Sequence, residues 1–343
     1  MRMALYEPEY GYYVIGPARM GWEGDYFTSS DVSALFAHCM GYQLLQFWEQ
    51  LQRPITFTVI EQGAGRGQFA QHIQDWSVQH PDFQQALIYR TEDIRTGQNA
   101  LLQEQEPLQP TVLLSNELVD AFPVHIVEQR QQQLYEVYVD VHHGRLHEVL
   151  DTPSSSELIA YLDAYKIPWH TFPDGWRAEI NLDALQWMQQ SALLLTAKEG
   201  RRNHHGFLLA IDYGDKARAL YTPERLHGTL ACYYQHQFTE HPLVRPGEQD
   251  ITAHANFSAL IHTGRQHGLH LHSFTTQRDW LLQLGIDDEL MQMRQRDFAA
   301  IDSQRASDSG QVALFQWYNL RQRAATLTDR QGMGNFKVLI MKS

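Results

Sequence analysis

A glycine-rich segment, Glu61-Gln-Gly-Ala-Gly-Arg-Gly67, constrains the fold more than any other part of this 343-residue chain. It follows the short β-branched run Phe57-Thr-Val-Ile60 and precedes apolar residues that recur at helical spacing between positions 69 and 76. A strand, a glycine loop and a helix in this order form the opening unit of nucleotide-binding α/β folds. The sequence therefore predicts an α/β domain that binds a ligand at the tips of its strands.

The three glycines of this loop have different expected roles. Gly63 and Gly65 let the backbone turn tightly and approach a ligand without a clash at Cβ. Gly67 is expected to let the following helix pack closely on the strand. Their spacing is GxGxG, whereas a dinucleotide fingerprint has the spacing GxGxxG and directs a helix N-terminus at a pyrophosphate.

Two acids at strand ends indicate which ligand the loop binds. Glu61 precedes the first glycine, and Glu92 ends the next predicted strand, where it can accept both hydroxyls of a ribose. S-adenosylmethionine carries a cationic sulfonium, an amino-acid end and a ribose, but no phosphate. The acids and the bare glycine loop therefore favour S-adenosylmethionine over NAD as the cofactor.

The rest of the chain continues the alternation of strands and helices. Further strands are predicted at 87–89, 112–114, 207–211 and 336–341, and helices at 31–51, 182–200, 288–302 and 310–325. A further helix is predicted to run through Leu101 and Leu102. Residues 124–150 alternate with a period of two, which predicts antiparallel strands beside the core. The predicted fold class is a doubly wound, mostly parallel α/β sheet with added antiparallel strands and helices.

The chain divides into three predicted parts. Residues 1–55 are interpreted as an arm and a helix over the cofactor site, and the first 30, rich in glycine and aromatic residues, as an ordered arm without regular helix. Residues 56–123 and 181–343 are assigned to the core. Residues 124–180 are interpreted as inserted strands followed by a Ser/Pro/Trp-rich connection on the substrate side.

The composition argues against several functional classes. A formal net charge of −13 disfavours duplex binding and suits a cationic ligand or a basic protein segment. Cys39 and Cys232 are interpreted as buried small hydrophobic residues in a reducing compartment. The sequence has no metal-ligand spacing such as HExxH and no apolar run long enough to span a membrane. We also expect no signal or anchor segment. A cytoplasmic protein without a metal is therefore expected.

Polar residues gather at the predicted ends of two further strands. Asn116, Glu117 and Asp120 follow the third strand, and Asp212 ends a later one. At this edge of a doubly wound sheet the substrate meets the cofactor. We assign Asn116 to the cofactor side and Glu117 and Asp120 to catalysis. His254 stands in a predicted polar loop at 252–257 that is able to lie over the pocket, where a ligand contact and a packing role are both open.

Seven segments spread over nearly the whole chain carry a family resemblance. They are Ala4-Leu-Tyr-Glu-Pro-Glu-Tyr-Gly-Tyr-Tyr13, Gly24-Asp-Tyr-Phe-Thr-Ser-Ser-Asp-Val-Ser33, Glu61-Gln-Gly-Ala-Gly-Arg-Gly67, Ser115-Asn-Glu-Leu-Val-Asp-Ala-Phe-Pro123, Ile211-Asp-Tyr-Gly214, Asp250-Ile-Thr-Ala-His254 and Phe336-Lys-Val-Leu339. In this order they resemble the MidA-like class I S-adenosylmethionine-dependent methyltransferases. The mitochondrial members of that family are complex I assembly factors that methylate arginine.

The resemblance implies a cofactor pocket made by the glycine loop, Glu61 and Glu92. It also implies that Gly24, Asp25 and Thr28, on the N-terminal arm, fold over this pocket. The chain departs from the family pattern at Ile94, Ser115 and Asn256. Because the glycine loop is intact, these departures bear on substrate choice and rate more than on cofactor binding.

The resemblance further implies a protein arginine as the methyl acceptor, with a respiratory complex subunit as the partner. Methyl transfer is an in-line displacement at the sulfonium methyl, so the enzyme must align the nucleophile. A guanidinium is planar and stays protonated, and the carboxylates of Glu117 and Asp120 can hold it bidentately. His254 and Asp212 are the candidate acceptors of the proton that leaves the methylated nitrogen.

Two alternative functions stay open at this stage. An NAD-dependent oxidoreductase could use the same sheet topology, although the GxGxxG spacing is missing. A non-catalytic assembly or scaffold factor could keep cofactor binding and have lost the chemistry. The strands predicted at 124–150 offer an edge for pairing, so the sequence also leaves a homodimer open.

Overall fold

A six-stranded sheet forms the centre of the protein. The computed structural model describes residues 1–15, 34–94, 109–197, 205–235, 237–303 and 307–343. Its strands are β1 (Phe57–Gln62), β2 (Leu87–Glu92), β3 (Val112–Asn116), β4 (His125–Arg130), β5 (Gln133–His142), β6 (Arg145–Asp151), β7 (Arg177–Ile180), β8 (Phe207–Asp212), β9 (Gly214–Asp215), β10 (Ala231–Tyr234), β11 (Gln237–Thr239), β12 (Asp250–Thr252), β13 (Ala255–Asn256), β14 (His270–Thr276) and β15 (Lys337–Lys342). The order in the central sheet is β2-β1-β3-β8-β15-β14.

The direction of the strands confirms the predicted doubly wound, mostly parallel sheet. β2, β1, β3 and β8 run parallel, whereas β15 runs antiparallel to both of its neighbours, β8 and β14. β1 lies between β2 and β3, so the order of the strands reverses there. In such a sheet a ligand crevice opens at the carboxyl ends of the strands beside the reversal.

Helices cover both faces of this sheet, so β3 and β8 are buried along their whole length. The helix Ala34–Gln50 belongs to the apolar cluster on one face. The helix Leu182–Thr196 belongs to the cluster on the other. Because side chains alternate along a strand, Glu61 and Gln62, at the end of β1, point to opposite faces. The side chains of Glu61 and Gln62 therefore contact different residues in the site.

Thirteen α-helices lie within the described residues. They are Arg2–Tyr6, Tyr12–Ile15, Ala34–Gln50, Gln68–Ser77, Pro81–Ala86, Glu157–Ala164, Leu182–Thr196, Ala217–Leu220, Phe257–Gln266, Gln277–Gln283, Ile286–Asp297, Ala300–Ser303 and Asp308–Leu327. Three-residue 3₁₀ turns occur at Val119–Ala121, Trp169–Thr171 and Met333–Asn335. The helix predicted at 288–302 is two helices, because the first ends at Asp297. The helix predicted near 101–102 lies outside the described residues.

A second, antiparallel sheet with the order β6-β5-β4-β7 is built from residues 125–180. The period-two pattern correctly predicts the antiparallel strands β4 to β6. The Ser/Pro/Trp-rich connection predicted after these strands contains two elements that were missed, the helix Glu157–Ala164 and β7. That helix has two turns and buries Leu158, Tyr161 and Leu162. β7 pairs with β4, about fifty positions earlier, so no local pattern reveals it.

The expectation that the first 30 residues contain no regular helix is also wrong where the structure describes them. Arg2–Tyr6 and Tyr12–Ile15 are short helices. They are stabilised by burial of Leu5 and Tyr12 in an apolar cluster with Cys232 and other residues of the β10–β12 region. Packing of aromatic and apolar side chains outweighs the turn-forming composition of this segment.

Residues 252–257 are not the polar loop that was predicted. Their chain forms the end of β12 and the two-residue strand β13, which pairs with β9. Asn256 is buried, and its Oδ1 accepts a hydrogen bond from the backbone of Ala259, 3.3 Å away, so it caps the helix that begins at Phe257. Its Nδ2 donates to the hydroxyl of Tyr161 at 2.9 Å. His254 is the exposed residue of this segment.

Both cysteines, Cys39 and Cys232, are buried and free, as predicted. Within the described residues, none of the helices combines the length and the apolar composition that a membrane span requires. Within the same residues, no three His, Cys, Asp or Glu side chains are arranged to hold a metal ion.

Candidate functional site

The glycine loop turns sharply after β1 and is attached to the end of β2. The φ angles of Gly63, Gly65 and Gly67 are 73°, 57° and 72°, in the left-handed region that favours glycine. The backbone N–H groups of Gly63 and Ala64 donate to the carbonyl of Glu92 at 2.8 and 3.2 Å. The reason predicted for Gly67 is wrong, because a Cβ there would meet no described atom within 4 Å. Its φ angle, and not close packing, requires glycine.

The carboxyl group of Glu61 is buried, with 4% of the residue exposed. Its Oε2 accepts a hydrogen bond from the hydroxyl of Tyr89 at 3.0 Å. Burial raises the pKa of Glu61 to about 8, although the Tyr89 hydroxyl opposes this shift, and the charge of Asp93 adds to it. An approaching cation would favour the ionised carboxylate, so this position suits the cationic end of a ligand.

Glu92 has one carboxylate oxygen engaged and one available. Its Oε2 accepts a hydrogen bond from Gln62 Nε2 at 3.2 Å. Its Oε1 is buried and has no hydrogen-bond partner among the described residues. Burial raises the pKa of Glu92, and the bond from Gln62 lowers it. A buried acceptor without a donor is costly, and the hydroxyls of a ribose are suitable donors, so the site fits S-adenosylmethionine.

The end of β3 carries a strained glutamate. Glu117 has a φ of 52°, which is rare for a residue other than glycine and typical of functional sites. Its backbone N–H donates to the carbonyl of Ile211 at 2.8 Å, which connects it to β8. Its Oε1 accepts a hydrogen bond from Asn116 Nδ2 at 3.1 Å. Asn116 Oδ1 is buried and lacks a donor in the described part of the chain, so a ligand donor would fit there.

Asp212 fixes the backbone that carries the other acids. Its Oδ2 accepts hydrogen bonds from the N–H groups of Val119 and Asp120 at 2.8 and 3.3 Å. Its Oδ1 accepts one from Tyr213 at 2.8 Å. Only 1% of Asp212 is exposed. These contacts point to a positioning role for Asp212 and leave its carboxylate poorly placed to receive a substrate proton.

Asp120 is a buried acid among other acids. It is 4% exposed. Burial raises its pKa well above the ordinary value, and the charges of Asp212, Asp250 and Glu117 raise it further. A bound cation beside Asp120 would therefore be stabilised by several carboxylates at once. The structure thus brings Glu117 and Asp120 together, at the strand end where they were predicted.

Tyrosines surround these acids, and sequence reasoning did not single them out. Tyr6 donates to a backbone carbonyl of the turn that contains Asp120, at 2.8 Å. Tyr13 donates to Asp250 Oδ1 at 2.5 Å. Burial raises the pKa of Tyr213 and Tyr233, and nearby carboxylates add to the shift. The only local signal was the aromatic composition of the first fifteen residues.

His254 lies beside this region. Its ring centroid is 6.3 Å from that of Tyr213, with the planes 26° apart. Its backbone N–H donates to Thr229 Oγ1 at 3.0 Å. Partial desolvation and the cations Arg225 and Lys337 lower the pKa of His254 to about 4. The imidazole is therefore neutral near pH 7, and its lowered pKa makes it a weak base.

The other predicted cofactor residues, Gly24, Asp25 and Thr28, lie outside the described residues, as do positions 95–108. Of the positions that depart from the family pattern, Ser115 is buried in β3, Asn256 caps a helix, and Ile94 is exposed. None of these three residues makes a described hydrogen bond to the side chain of Glu117, Asp120 or Asp212.

Comparison with known proteins identifies the family. The sequence model of a family described as "putative S-adenosyl-L-methionine-dependent methyltransferase" matches residues 39–275. This chain belongs to that family. The match includes the glycine loop, both strand-end acids and the end of β3. It confirms the predicted class of enzyme.

Curated relatives and solved structures agree with this family. The chain is 25% identical to the mitochondrial protein arginine methyltransferase NDUFAF7 homolog of Drosophila melanogaster, over 78% of this chain and 66% of the relative. It is 25% identical to protein arginine methyltransferase NDUFAF7 of Danio rerio, over 84% and 73%. The chain thus spans about two thirds of the length of the fly relative.

A COG1565 superfamily member from Burkholderia thailandensis, in a crystal structure with bound S-adenosyl-homocysteine, superimposes with a TM-score of 0.81. It is 25% identical, and the match covers 100% of this chain and 86% of that one. A native crystal structure from the same superfamily and organism gives 0.77. Together with the free acceptor on Glu92, these findings confirm S-adenosylmethionine as the cofactor of this methyltransferase.

Proposed function

We propose that this methyltransferase modifies an arginine side chain of a protein substrate. The observation that carries the proposal is the pair Glu117 and Asp120 at the end of β3, one strained and one buried with a raised pKa. Two carboxylates at the strand end next to the cofactor loop suit a guanidinium, which is planar, cationic and bidentate. The names of the NDUFAF7 relatives support the same acceptor.

In this proposal, residues at the ends of β1, β2 and β3 hold the cofactor. The glycine loop allows close approach of the backbone, Glu92 accepts from the ribose hydroxyls, and Asn116 Oδ1 accepts from a further ligand donor. Glu61 is the counter-charge for the ammonium group of the amino-acid end. S-adenosylmethionine supplies the sulfonium methyl group. Gly24, Asp25 and Thr28 complete the pocket in this proposal.

The acceptor arginine is held by Glu117 and Asp120, which align one nitrogen with the methyl group. Asp212 fixes the turn on which Asp120 stands, so the spacing of the two carboxylates is set before substrate binds. Of the two candidate proton acceptors, this proposal favours His254 because it is exposed, whereas the carboxylate of Asp212 is buried and hydrogen-bonded to three backbone N–H groups.

The proposal has a finer form that concerns partner and place. In this form the acceptor is an arginine of a respiratory complex subunit, and the protein assists complex I assembly. The protein acts in the cytoplasm and forms a homodimer. The acidic composition of the chain, with a net charge of −13, supports a basic segment as the docking element of the substrate.

Labelled methyl transfer tests the proposal. The purified protein is incubated with methyl-labelled S-adenosylmethionine and cell extract, and the labelled proteins are hydrolysed to identify the modified amino acid. We expect methylarginine. Glu117→Gln is expected to reduce the transfer roughly tenfold or more, because it removes a charge-assisted hydrogen bond, while binding of S-adenosylhomocysteine is retained.

The control is Asp287→Asn, which removes an exposed carboxylate in the first turn of the helix Ile286–Asp297. It should leave transfer unchanged. Label in another amino acid would overturn the choice of acceptor. Binding of S-adenosylhomocysteine without any transfer would favour the scaffold alternative. Binding of NADH in its place would revive the oxidoreductase.

A further inference from the structure

Three side chains form a hydrogen-bonded relay that ends on the ribose-binding acid. Trp187 Nε1 donates to Gln62 Oε1 at 2.9 Å. Gln62 Nε2 donates to Glu92 Oε2 at 3.2 Å. Glu92 Oε1, the far end of the relay, is the buried oxygen without a described partner. The relay thus runs from the helix Leu182–Thr196, across β1, to the end of β2.

The chemistry of the indole fixes the direction of this relay. An indole N–H donates and cannot accept, so the oxygen of the Gln62 amide must face Trp187. The amide nitrogen must then face Glu92 and donate to it. The reverse orientation of Gln62 would place two donors against each other at Trp187 and two acceptors against each other at Glu92. The network therefore allows one orientation of the amide.

The ladder of the sheet places the two strand-end residues side by side. Gln62 and Glu92 are register partners in the parallel pair of β1 and β2. Their side chains point to the same face, and Trp187 packs on that face with the second apolar cluster. The ring of Phe122 lies 6.3 Å from that of Trp187. Packing fixes the indole of Trp187, and the hydrogen bond from this indole fixes the amide of Gln62.

We propose that Trp187 and Gln62 are positioning residues that orient the Glu92 carboxylate toward the ribose of the cofactor. With Oε2 committed to Gln62, Oε1 is the carboxylate oxygen that is left to accept from the ligand. Gln62 also stabilises the carboxylate as an acceptor, because its donated hydrogen bond favours the ionised group. The cofactor therefore meets a carboxylate that is already oriented, and less binding energy is lost in ordering it.

Titration calorimetry with two ligands tests this proposal. The ligands are S-adenosylhomocysteine and its 2′,3′-dideoxy analogue, which lacks both ribose hydroxyls. Trp187→Phe, which keeps a packed ring and removes the donor, is expected to weaken the first ligand roughly three- to tenfold, the loss of about one hydrogen bond. Binding of the analogue is expected to change little. A role in packing alone would weaken both ligands equally and would overturn the proposal.

A second variant and a double-mutant cycle make the test independent of Trp187 packing. Gln62→Met breaks the relay with a side chain of similar length and is expected to discriminate between the two ligands in the same way. In a Glu92→Ala background, neither variant should weaken S-adenosylhomocysteine further. A further loss in that background would contradict the relay, as would unchanged affinity of both single variants.

Trp169→Phe is the matched control. The indole of Trp169 donates to Asp163 Oδ1 at 3.3 Å in the second-sheet region. This change removes an equivalent indole donor away from the cofactor, and it should leave the affinity of both ligands unchanged. An effect as large as that of Trp187→Phe would show a general response to loss of a tryptophan and would overturn the proposal.

Discussion

Glu61 and Glu92 end neighbouring strands, but their carboxyl groups have different surroundings. Glu61 is almost fully buried and bonded to the Tyr89 hydroxyl, whereas Glu92 is half-buried and has one oxygen without a described donor. Burial raises the pKa of both. Glu61 is therefore suited to respond to a ligand charge, and Glu92 to ligand hydroxyls. Alternation along the strands is enough to create the difference.

Replacing Glu61 with glutamine is expected to stabilise the cofactor-free protein at alkaline pH. The pKa of Glu61 is about 8 in the folded protein and 4.5 in its ordinary state. Between these values the folded state keeps a proton that the unfolded state has lost. The wild-type free energy of unfolding therefore falls as pH rises, by up to roughly 1.4 kcal/mol for each pKa unit. Glutamine still accepts a hydrogen bond from Tyr89. Because it does not titrate, the pH-dependent loss of stability caused by Glu61 disappears.

Urea titrations at pH of about 5 and about 8.5 check this expectation, because they lie at the two ends of the window. The variant and the wild type should have similar stability in acid, and the variant should be the more stable in alkali. A variant that is less stable at both pH values would mean that the buried carboxylate contributes net stability.

Gly63→Ala and Gly67→Ala form a matched pair in the glycine loop. Both positions have nearly the same positive φ, so each variant should lose roughly 1–2 kcal/mol through backbone strain. Only at Gly63 would the new Cβ meet another side chain, Leu118 Cδ1 at 3.0 Å. We expect Gly63→Ala to lower the melting temperature more and to weaken S-adenosylhomocysteine more. Equal losses in thermal denaturation and calorimetry would contradict the contact with Leu118.

Among single residues, the sequence predicts those whose role depends on local spacing. The glycine loop, Glu92 and the acids after β3 follow from strand ends and spacing, and the structure brings them to one edge of the sheet. Trp187 could not be predicted as the partner of Gln62, because 125 positions separate them. The same holds for Tyr13 and Asp250, 237 positions apart. Such contacts depend on the order of the strands and not on any local pattern.

Among helices and strands, the predictions are correct where apolar residues recur with the period of the element. β5 and β6 alternate and were predicted, whereas β7 has four residues and takes its identity from pairing with β4. β14 was missed because three of its seven residues are histidine or serine and its first three are exposed. These residues form a strand because they pair with β15, and not because their composition favours a strand.

Asn256 joins two elements, and its loss should cost more than that of an ordinary helix cap. Its Oδ1 caps the helix Phe257–Gln266, and its Nδ2 donates to the hydroxyl of Tyr161. Asn256→Ala is expected to lose roughly 1 kcal/mol for the cap and about 1–3 kcal/mol more for the buried polar group left without its partner.

Ser307→Ala is the comparison, because Ser307 Oγ caps the helix Asp308–Leu327 at a more exposed position. It should lose only the contribution of the cap. Denaturant unfolding of both variants gives the difference. A loss for Asn256→Ala no larger than that for Ser307→Ala would mean that the bond to Tyr161 contributes little.

At the scale of the whole molecule, distant parts of the chain meet on one face of the central sheet. His38 Nδ1 lies 2.7 Å from Glu289 Oε1, and Tyr42 donates to Glu289 Oε2 at 3.0 Å. Trp280 Nε1 donates to Gln43 Oε1 at 2.8 Å. The helix Ala34–Gln50, which follows the predicted arm, is thereby attached to the C-terminal helices. The position of that helix therefore depends on residues about 240 positions later.

Glu289→Gln should destabilise the protein near neutral pH and lose this effect in acid. Burial alone would raise the pKa of Glu289, but the bonds from His38 and Tyr42 lower it below the ordinary value of 4.5. A lowered carboxyl pKa contributes stability above 4.5, and this is lost as pH falls through the folded value. Near pH 7 we expect a loss of roughly 1–3 kcal/mol, because glutamine has one acceptor for two donors.

Denaturant titrations near pH 7 and near pH 4 measure the difference between the variant and the wild type, which should shrink in acid. Asp287→Asn changes an exposed acid in the first turn of the same helix. It should cost only the few tenths of a kcal/mol typical of a charge at a helix N-terminus. If Glu289→Gln were no worse than this control near neutral pH, the contact with His38 would not hold the two regions together. A loss that stayed constant down to pH 4 would instead assign the role of Glu289 to packing, because packing does not depend on its charge.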